Sequence, residues 1–287
     1  MKHRLWLISL SWIGISAAPA AESKTSSIGL KMLPIPAGTF TMGSPSTEKS
    51  RGRDEDQVEV ELTEPFLMGE TEVTQAQWKA VMKTSTAEQV ASKDGPLGRG
   101  ANLVDEASAT GPDQPMCFVN WADALRFCDQ LTELDREAGV IDKGFKYSLP
   151  TEAQWEYACR AGTTTVFAFG DTLTSDQANF FGKMPYGVDE EGEYREKTTA
   201  VKTFKPNAWG LYDMHGNLYE WCLDWYGEAL EGGKDPVGPA EGDGYIIRGG
   251  TWNRKATSCR SAYRYSSNPT ARGYNIGFRV VLVKADE

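Results

Sequence analysis

Apolar and acidic residues alternate along Val58-Glu59-Val60-Glu61-Leu62, a period of two that predicts a strand with one buried face. Met32 to Ser44 reads as two short strands hinged at Ala37-Gly38, and Phe66 to Gly69 continues as strand. Further strands are expected at Phe145–Leu149, Val201–Phe204, Tyr245–Gly250 and Gly277–Val283, the last two being the strongest. Helical spacing is rarer. Ala124, Phe127, Cys128 and Leu131 share one face of a helix that starts at Asn120 or Trp121. Thr74-x-x-Gln77 caps a helix running to about Met82. Thr151 caps another over Glu152–Arg160, which Ala161-Gly162 ends.

Between these elements the chain is polar. Residues 45–57 carry seven charged side chains and form a solvated loop. Residues 84–112, 163–200 and 227–243 are rich in Gly, Ser, Ala or acidic groups and read as loops or insertions. No segment repeats at a fixed period and no linker divides the chain. Few short helices, scattered strands and long loops give an α+β fold in one loop-rich domain over residues 32–285, with residues 21–31 disordered before it.

The N-terminus changes the picture. Met1-Lys2-His3-Arg4 is basic, Leu5–Ile15 is mostly apolar, and Ala18-Pro19-Ala20 is a small-x-small cleavage site. Residues 1–20 therefore read as a secretory signal peptide, and a periplasmic or secreted protein with no membrane span after cleavage is expected. The net charge of −10 argues against a nucleic-acid partner, because phosphate contacts need clustered cations. His215 is the sole histidine beyond the leader, so a two-His iron site and a His-rich zinc or copper site are excluded. Its glycine-rich setting makes it a turn residue. The cysteines Cys117, Cys128, Cys159, Cys222 and Cys259 form no C-x-x-C pair, which excludes a thioredoxin-type centre.

One stretch is unexplained by periodicity. Gly210-Leu211-Tyr212-Asp213-Met214-His215-Gly216-Asn217-Leu218-Tyr219-Glu220-Trp221-Cys222 has too many glycines for a helix interior and too many aromatics for a loose loop. Asp213 and Glu220 supply two hard carboxylates near glycines that let carbonyls turn inward, which suits a structural calcium ion.

Six ordered motifs extend this. They are Ile35–Ser44, Val119-Asn120-Trp121-Ala122-Asp123-Ala124, Leu149–Ala158, Gly210–Trp221, Arg248-Gly249-Gly250-Thr251-Trp252 and Ile276-Gly277-Phe278-Arg279; Glu72-Val73-Thr74 also matches. Together they resemble the formylglycine-generating enzyme family, the sulfatase-modifying-factor domain, whose fold is a variant of the C-type lectin fold. The resemblance implies one calcium held by the Asp213 and Glu220 side chains and the Gly216 and Leu218 carbonyls. It implies a second near Asn179 and Phe180, with Glu193 as acidic partner. Family enzymes oxidise a substrate cysteine with a copper ion on two thiolates. Here Arg254 stands in the place of the first, and Cys259 is the one candidate for the second. Copper is therefore not expected, and neither is ordinary formylglycine chemistry.

Three functions follow from the resemblance. Exported members without the cysteine pair include a periplasmic factor of oxidative chromophore maturation, which favours an oxidative maturation factor acting on a peptide or peptide-derived substrate. A non-catalytic lectin-like module is the alternative, binding a peptide or small molecule through Trp252, Asn253, Arg254, Tyr263, Arg264 and Tyr265, whose rings and planar donors suit recognition. A formylglycine-generating oxidase with an altered site is the third. A monomer is expected. In this fold the segments of Cys222 and Cys259 should lie side by side, so an oxidising compartment would join them in a disulfide.

Overall fold

A computed structural model describes residues 22–91 and 109–285. The proposed signal peptide and part of the 84–112 insertion lie outside the described residues. Three sheets form the frame. The first orders its strands β1-β2-β5-β12-β6, where β1 is Lys24–Thr25, β2 Lys31–Ile35, β5 Phe66–Gly69, β6 Phe145–Ser148 and β12 Val281–Lys284. The second runs β10-β9-β7-β11, with β7 Tyr219–Trp225, β9 Tyr245–Arg248, β10 Tyr265–Ser267 and β11 Ile276–Gly277. The third is β3 (Gly38–Met42), β4 (Val58–Leu62) and β8 (Gly233–Lys234). Four helices are described: α1 Gln75–Met82, α2 Thr86–Ala91, α3 Trp121–Glu137 and α4 Glu152–Arg160.

Helix starts follow their caps. Thr74 with Gln77, Asn120 with Asp123 and Thr151 with Gln154 each form a reciprocal capping box. α3 buries Ala124, Phe127, Cys128 and Leu131, and Trp78 of α1 stacks on Phe127 with ring centroids 5.8 Å apart. α4 packs on β3, β7 and β9.

Three expectations need correction. Residues 22–31 are ordered, because the buried Asp135 of α3 needs partners and takes the Ser27 N–H at 2.8 Å and the Tyr147 hydroxyl at 2.6 Å, while β1 pairs with β2. Val201–Phe204 is a turn, with Lys202 at φ 66° donating its N–H to Asp213. Gly277–Val283 is two strands, since β11 runs parallel to β7 before the chain crosses to β12 in the first sheet. The helix α2 has a signal that low apolar content hides: Ser85 and Glu88 cap each other, Glu88 accepting the Ser85 N–H at 2.7 Å.

Buried ion pairs lock the frame together. Arg248, on β9, donates to Glu156 of α4 and to the carbonyls of Ser261, Ala262 and Tyr263. Arg260 forks onto Glu55 at 2.7 and 2.8 Å and reaches Glu48 at 2.5 Å. Arg264 forks onto Glu152 at 2.8 and 2.9 Å, and Arg279 onto Glu220 at 2.6 and 2.7 Å. Removing one partner of such a pair strands a charge where water cannot reach it. Arg248→Met should therefore cost about 3–5 kcal/mol of unfolding free energy in urea titration. Glu64→Gln, in the exposed pair with Lys284, should cost less than about 1 kcal/mol. Equal costs for the two variants would show that the buried pair is not a structural tie.

Candidate functional site

The site is built from the segment that follows Gly249-Gly250. Both glycines have positive φ, 92° and 78°, and a Cβ on Gly250 would lie 2.6 Å from the Cys259 sulfur. That turn lays the segment against the glycine-rich stretch: the Trp252 N–H and the Thr251 hydroxyl both donate to the Asn217 carbonyl at 3.0 Å. A 3-10 turn over Ala256–Cys259 and the buried ends of Arg248, Arg260 and Arg264 then fix its backbone.

Held this way, the segment forms one wall of a cleft of about 320 Å³. Tyr219, Tyr263 and Tyr265 form its aromatic side; Tyr265 lies nearly parallel to Tyr219, centroids 5.9 Å apart, and to Tyr263 at 6.5 Å. Asn253, Arg254, Lys255 and Ser258 supply polar groups, and Phe181 and Met184 face them. A wider groove of about 600 Å³ runs along α3 beside Val81, Leu134 and Lys146, but none of the motif residues lines it.

The structure divides the expected binding residues. Asn253, Arg254 and Tyr263 line the cleft together with Tyr265. Arg264 does not, because both its terminal arms are committed to Glu152 and to the carbonyls of Asp54 and Gly227. Trp252 turns away into a buried cluster with Cys117, Phe118 and Leu218. Sequence reasoning missed Phe181, Met184, Tyr219, Lys255 and Ser258 as cleft residues. Tyr219 lies inside the quoted glycine-rich motif, but only the pairing of β7 with β9, and of β9 with β10, brings it beside Tyr265.

The thiols are placed for packing. Cys222 and Cys259 point into different clusters of the core and both are free, so the expected bridge is absent. Cys259 is fully buried, and burial pushes its thiol up to about 12, so in the metal-free protein it is a protonated, packed thiol. Cys128 and Cys159 are also free and buried. Burial lowers His215 to about 4; its Nδ1 lies 2.8 Å from the Cys259 carbonyl and its Nε2 accepts the Ala168 N–H at 3.0 Å. A neutral ring with Nδ1 as donor satisfies both contacts.

The calcium residues are split as well. Both Glu220 oxygens hold Arg279, and Oε2 also accepts the Trp155 N–H at 2.7 Å. Asp213, pushed up by burial to about 6, accepts the Lys202 N–H. Burial raises Glu72 well above the usual carboxylate range, helped by Asp213 and Glu220, and its Oε1 has no partner. Asn179 donates to Lys197 and Asn217 while its Oδ1 is buried without a partner. Phe180 is core, Glu193 is exposed and pairs with Arg195, and the Gly216 N–H donates to the Gly249 carbonyl. A Cβ on Gly216 would meet the Asn179 carbonyl at 2.3 Å, so this glycine is required by close approach, whatever the Leu218 carbonyl binds. No three acidic, His or Cys groups among the described residues converge as a metal cluster. The orphaned Asn179 oxygen fits a calcium drawn to amide and carbonyl donors, whereas Glu220 could serve one only by giving up Arg279.

A model of the sulfatase-modifying factor enzyme 1-like domain matches residues 17–284, and the chain belongs to that family. It is 32% identical to the formylglycine-generating enzyme of Streptomyces coelicolor, over 85% of this chain and 87% of that one. The solved structure of PvdO from Pseudomonas aeruginosa superposes with a TM-score of 0.74 at 28% identity, covering 93% and 99% of the two chains. The fold is accordingly the formylglycine-generating-enzyme variant of the C-type lectin fold. Serine/threonine-protein kinase pkn1 of Chlamydia pneumoniae is 29% identical over 91% of this chain, which spans only 39% of that relative. No described helix is long and apolar enough to cross a membrane.

If Cys222 and Cys259 pack as free thiols, alkylation after unfolding but without reduction should recover both as separate labelled peptides. Native protein should label Cys259 slowly. A Cys222–Cys259 cross-linked peptide would overturn this placement.

Proposed function

We propose that the chain is an exported maturation factor that holds a peptide or peptide-derived substrate in the tyrosine-walled cleft, in the periplasm or outside the cell. The observation that carries this reading is the cleft itself. It is formed by the segment that holds the catalytic cysteines in family enzymes, it is walled by aromatic faces, and it contains no thiol. The signal-like N-terminus supports export. Copper does not fit: Arg254 offers a cation where a thiolate is required, and Cys259 is sealed against Gly250. Any oxidation of the substrate therefore draws on an oxidant other than a copper–thiolate centre of this chain, whose own contribution is binding and orientation. The absence of a convergent acid, base and nucleophile in the cleft favours a second reading, a pure binding module on the same surface. Formylglycine generation at an altered site is the reading least served by this geometry.

Selection from a random peptide library displayed against the purified protein should enrich sequences that Tyr265→Ala abolishes. Incubation with copper and a Cys-x-Pro-x-Arg peptide should leave the peptide thiol mass unchanged. Turnover of that thiol, or no library enrichment, would defeat the reading.

Calcium belongs to the same proposal, with Asn179, the Phe180 carbonyl and Glu193 as one set and Asp213, Gly216 and Leu218 as the second, which Glu220 joins only on releasing Arg279. Calcium at a hundredfold excess over its dissociation constant should add roughly 2.7 kcal/mol of stability, and a chelator should lower the melting temperature accordingly. An unshifted melting curve in chelator would remove an exchangeable calcium from the account.

A further inference from the structure

Most arginines of the motif segments end on buried carboxylates, as Arg248, Arg260, Arg264 and Arg279 do. Arg254 and Lys255 do not. They are adjacent, exposed, and without a carboxylate partner among the described residues. In a chain of net charge −10 these two neighbouring cations give the cleft one positive side.

The aromatic side gives the other half of the chemistry. Tyr265 is 46% exposed, yet its ring is held nearly parallel to Tyr219 and Tyr263, at 19° and 13°. A ring fixed by its neighbours presents a flat face at little entropic cost. Across the cleft Met184, half exposed, is a soft apolar surface that adapts to a planar guest. The volume of about 320 Å³ is at the lower end of ligand pockets and suits one ring with its nearest polar group.

We propose that the cleft recognises an aromatic residue next to a carboxylate, the ring lying on the Tyr265 face and the carboxylate against Arg254 and Lys255. This rests on the peptide reading above and narrows it to an anionic aromatic. The carboxylate is either the C-terminus of the peptide or a neighbouring acidic side chain.

Four probes separate the elements: N-acetyl-tyrosine, its amide, N-acetyl-leucine and acetyl-Glu-Tyr-amide, each titrated by ligand-observed NMR. N-acetyl-tyrosine should bind roughly tenfold more tightly than either its amide or N-acetyl-leucine. Arg254→Gln should erase the advantage over the amide without moving the melting temperature, since that side chain is exposed and holds no carboxylate among the described residues. Tyr265→Ala should erase the advantage over N-acetyl-leucine and keep the charge preference. Tight binding of acetyl-Glu-Tyr-amide assigns the carboxylate to a side chain; binding as weak as the tyrosine amide assigns it to the C-terminus. Equal affinity for acid and amide in the wild type, with acetyl-Glu-Tyr-amide binding no more tightly than either, overturns the proposal. If the peptide library still enriches sequences that lack an acidic aromatic, the narrower inference fails and the peptide reading stands. If neither library nor probes bind, both fail.

Discussion

The fold depends on charges placed where water is not. Each of Arg248, Arg260, Arg264 and Arg279 lies in the interior and reaches a glutamate from a distant part of the chain. The guanidinium fork matches a carboxylate in two parallel bonds and tolerates little displacement, so each pair sets a position as well as a separation. Small sheets and long loops could pack in several ways by apolar burial alone. The pairs Arg260–Glu55 and Arg264–Glu152 restrict that choice, tying the segment after Gly250 to the charged loop before β4 and to the start of α4. The cleft wall is therefore held from behind by ion pairs, and its outward side chains are free to differ.

Local signals carried the elements well. One capping box, one N-cap and one apolar face placed three helix starts, and alternation placed β4. Family motifs placed the domain. What local signals could not carry was destination. Arg254 and Arg264 are ten positions apart in one segment and look alike as candidate donors, yet one faces the cleft and the other is buried on Glu152. Trp252 looked like a recognition aromatic and is core. The distinction is made by where Glu152 and the Trp252 cluster lie, which is tertiary information. The Cys222–Cys259 expectation failed for a related reason: adjacency of segments does not decide which way each side chain points.

The segment after Gly250 keeps its backbone shape without presenting a thiol pair. A thiol that acts on a substrate requires access to it. Here the remaining thiol is sealed by its contact with Gly250, while Arg254 and Lys255 turn the same surface cationic. Gly216 in the glycine-rich stretch and Gly250 beside it are both needed for backbone approach.

The order of strands has a kinetic meaning. β12 ends the described chain, yet it lies between β5 and β6, and β6 has no other partner strand. β11, almost as late, closes against β7. A chain synthesised from its N-terminus thus carries open sheet edges until residues 276–284 are made. Pairings this distant in sequence form slowly, and unpaired edges bind chaperones or each other in the interval.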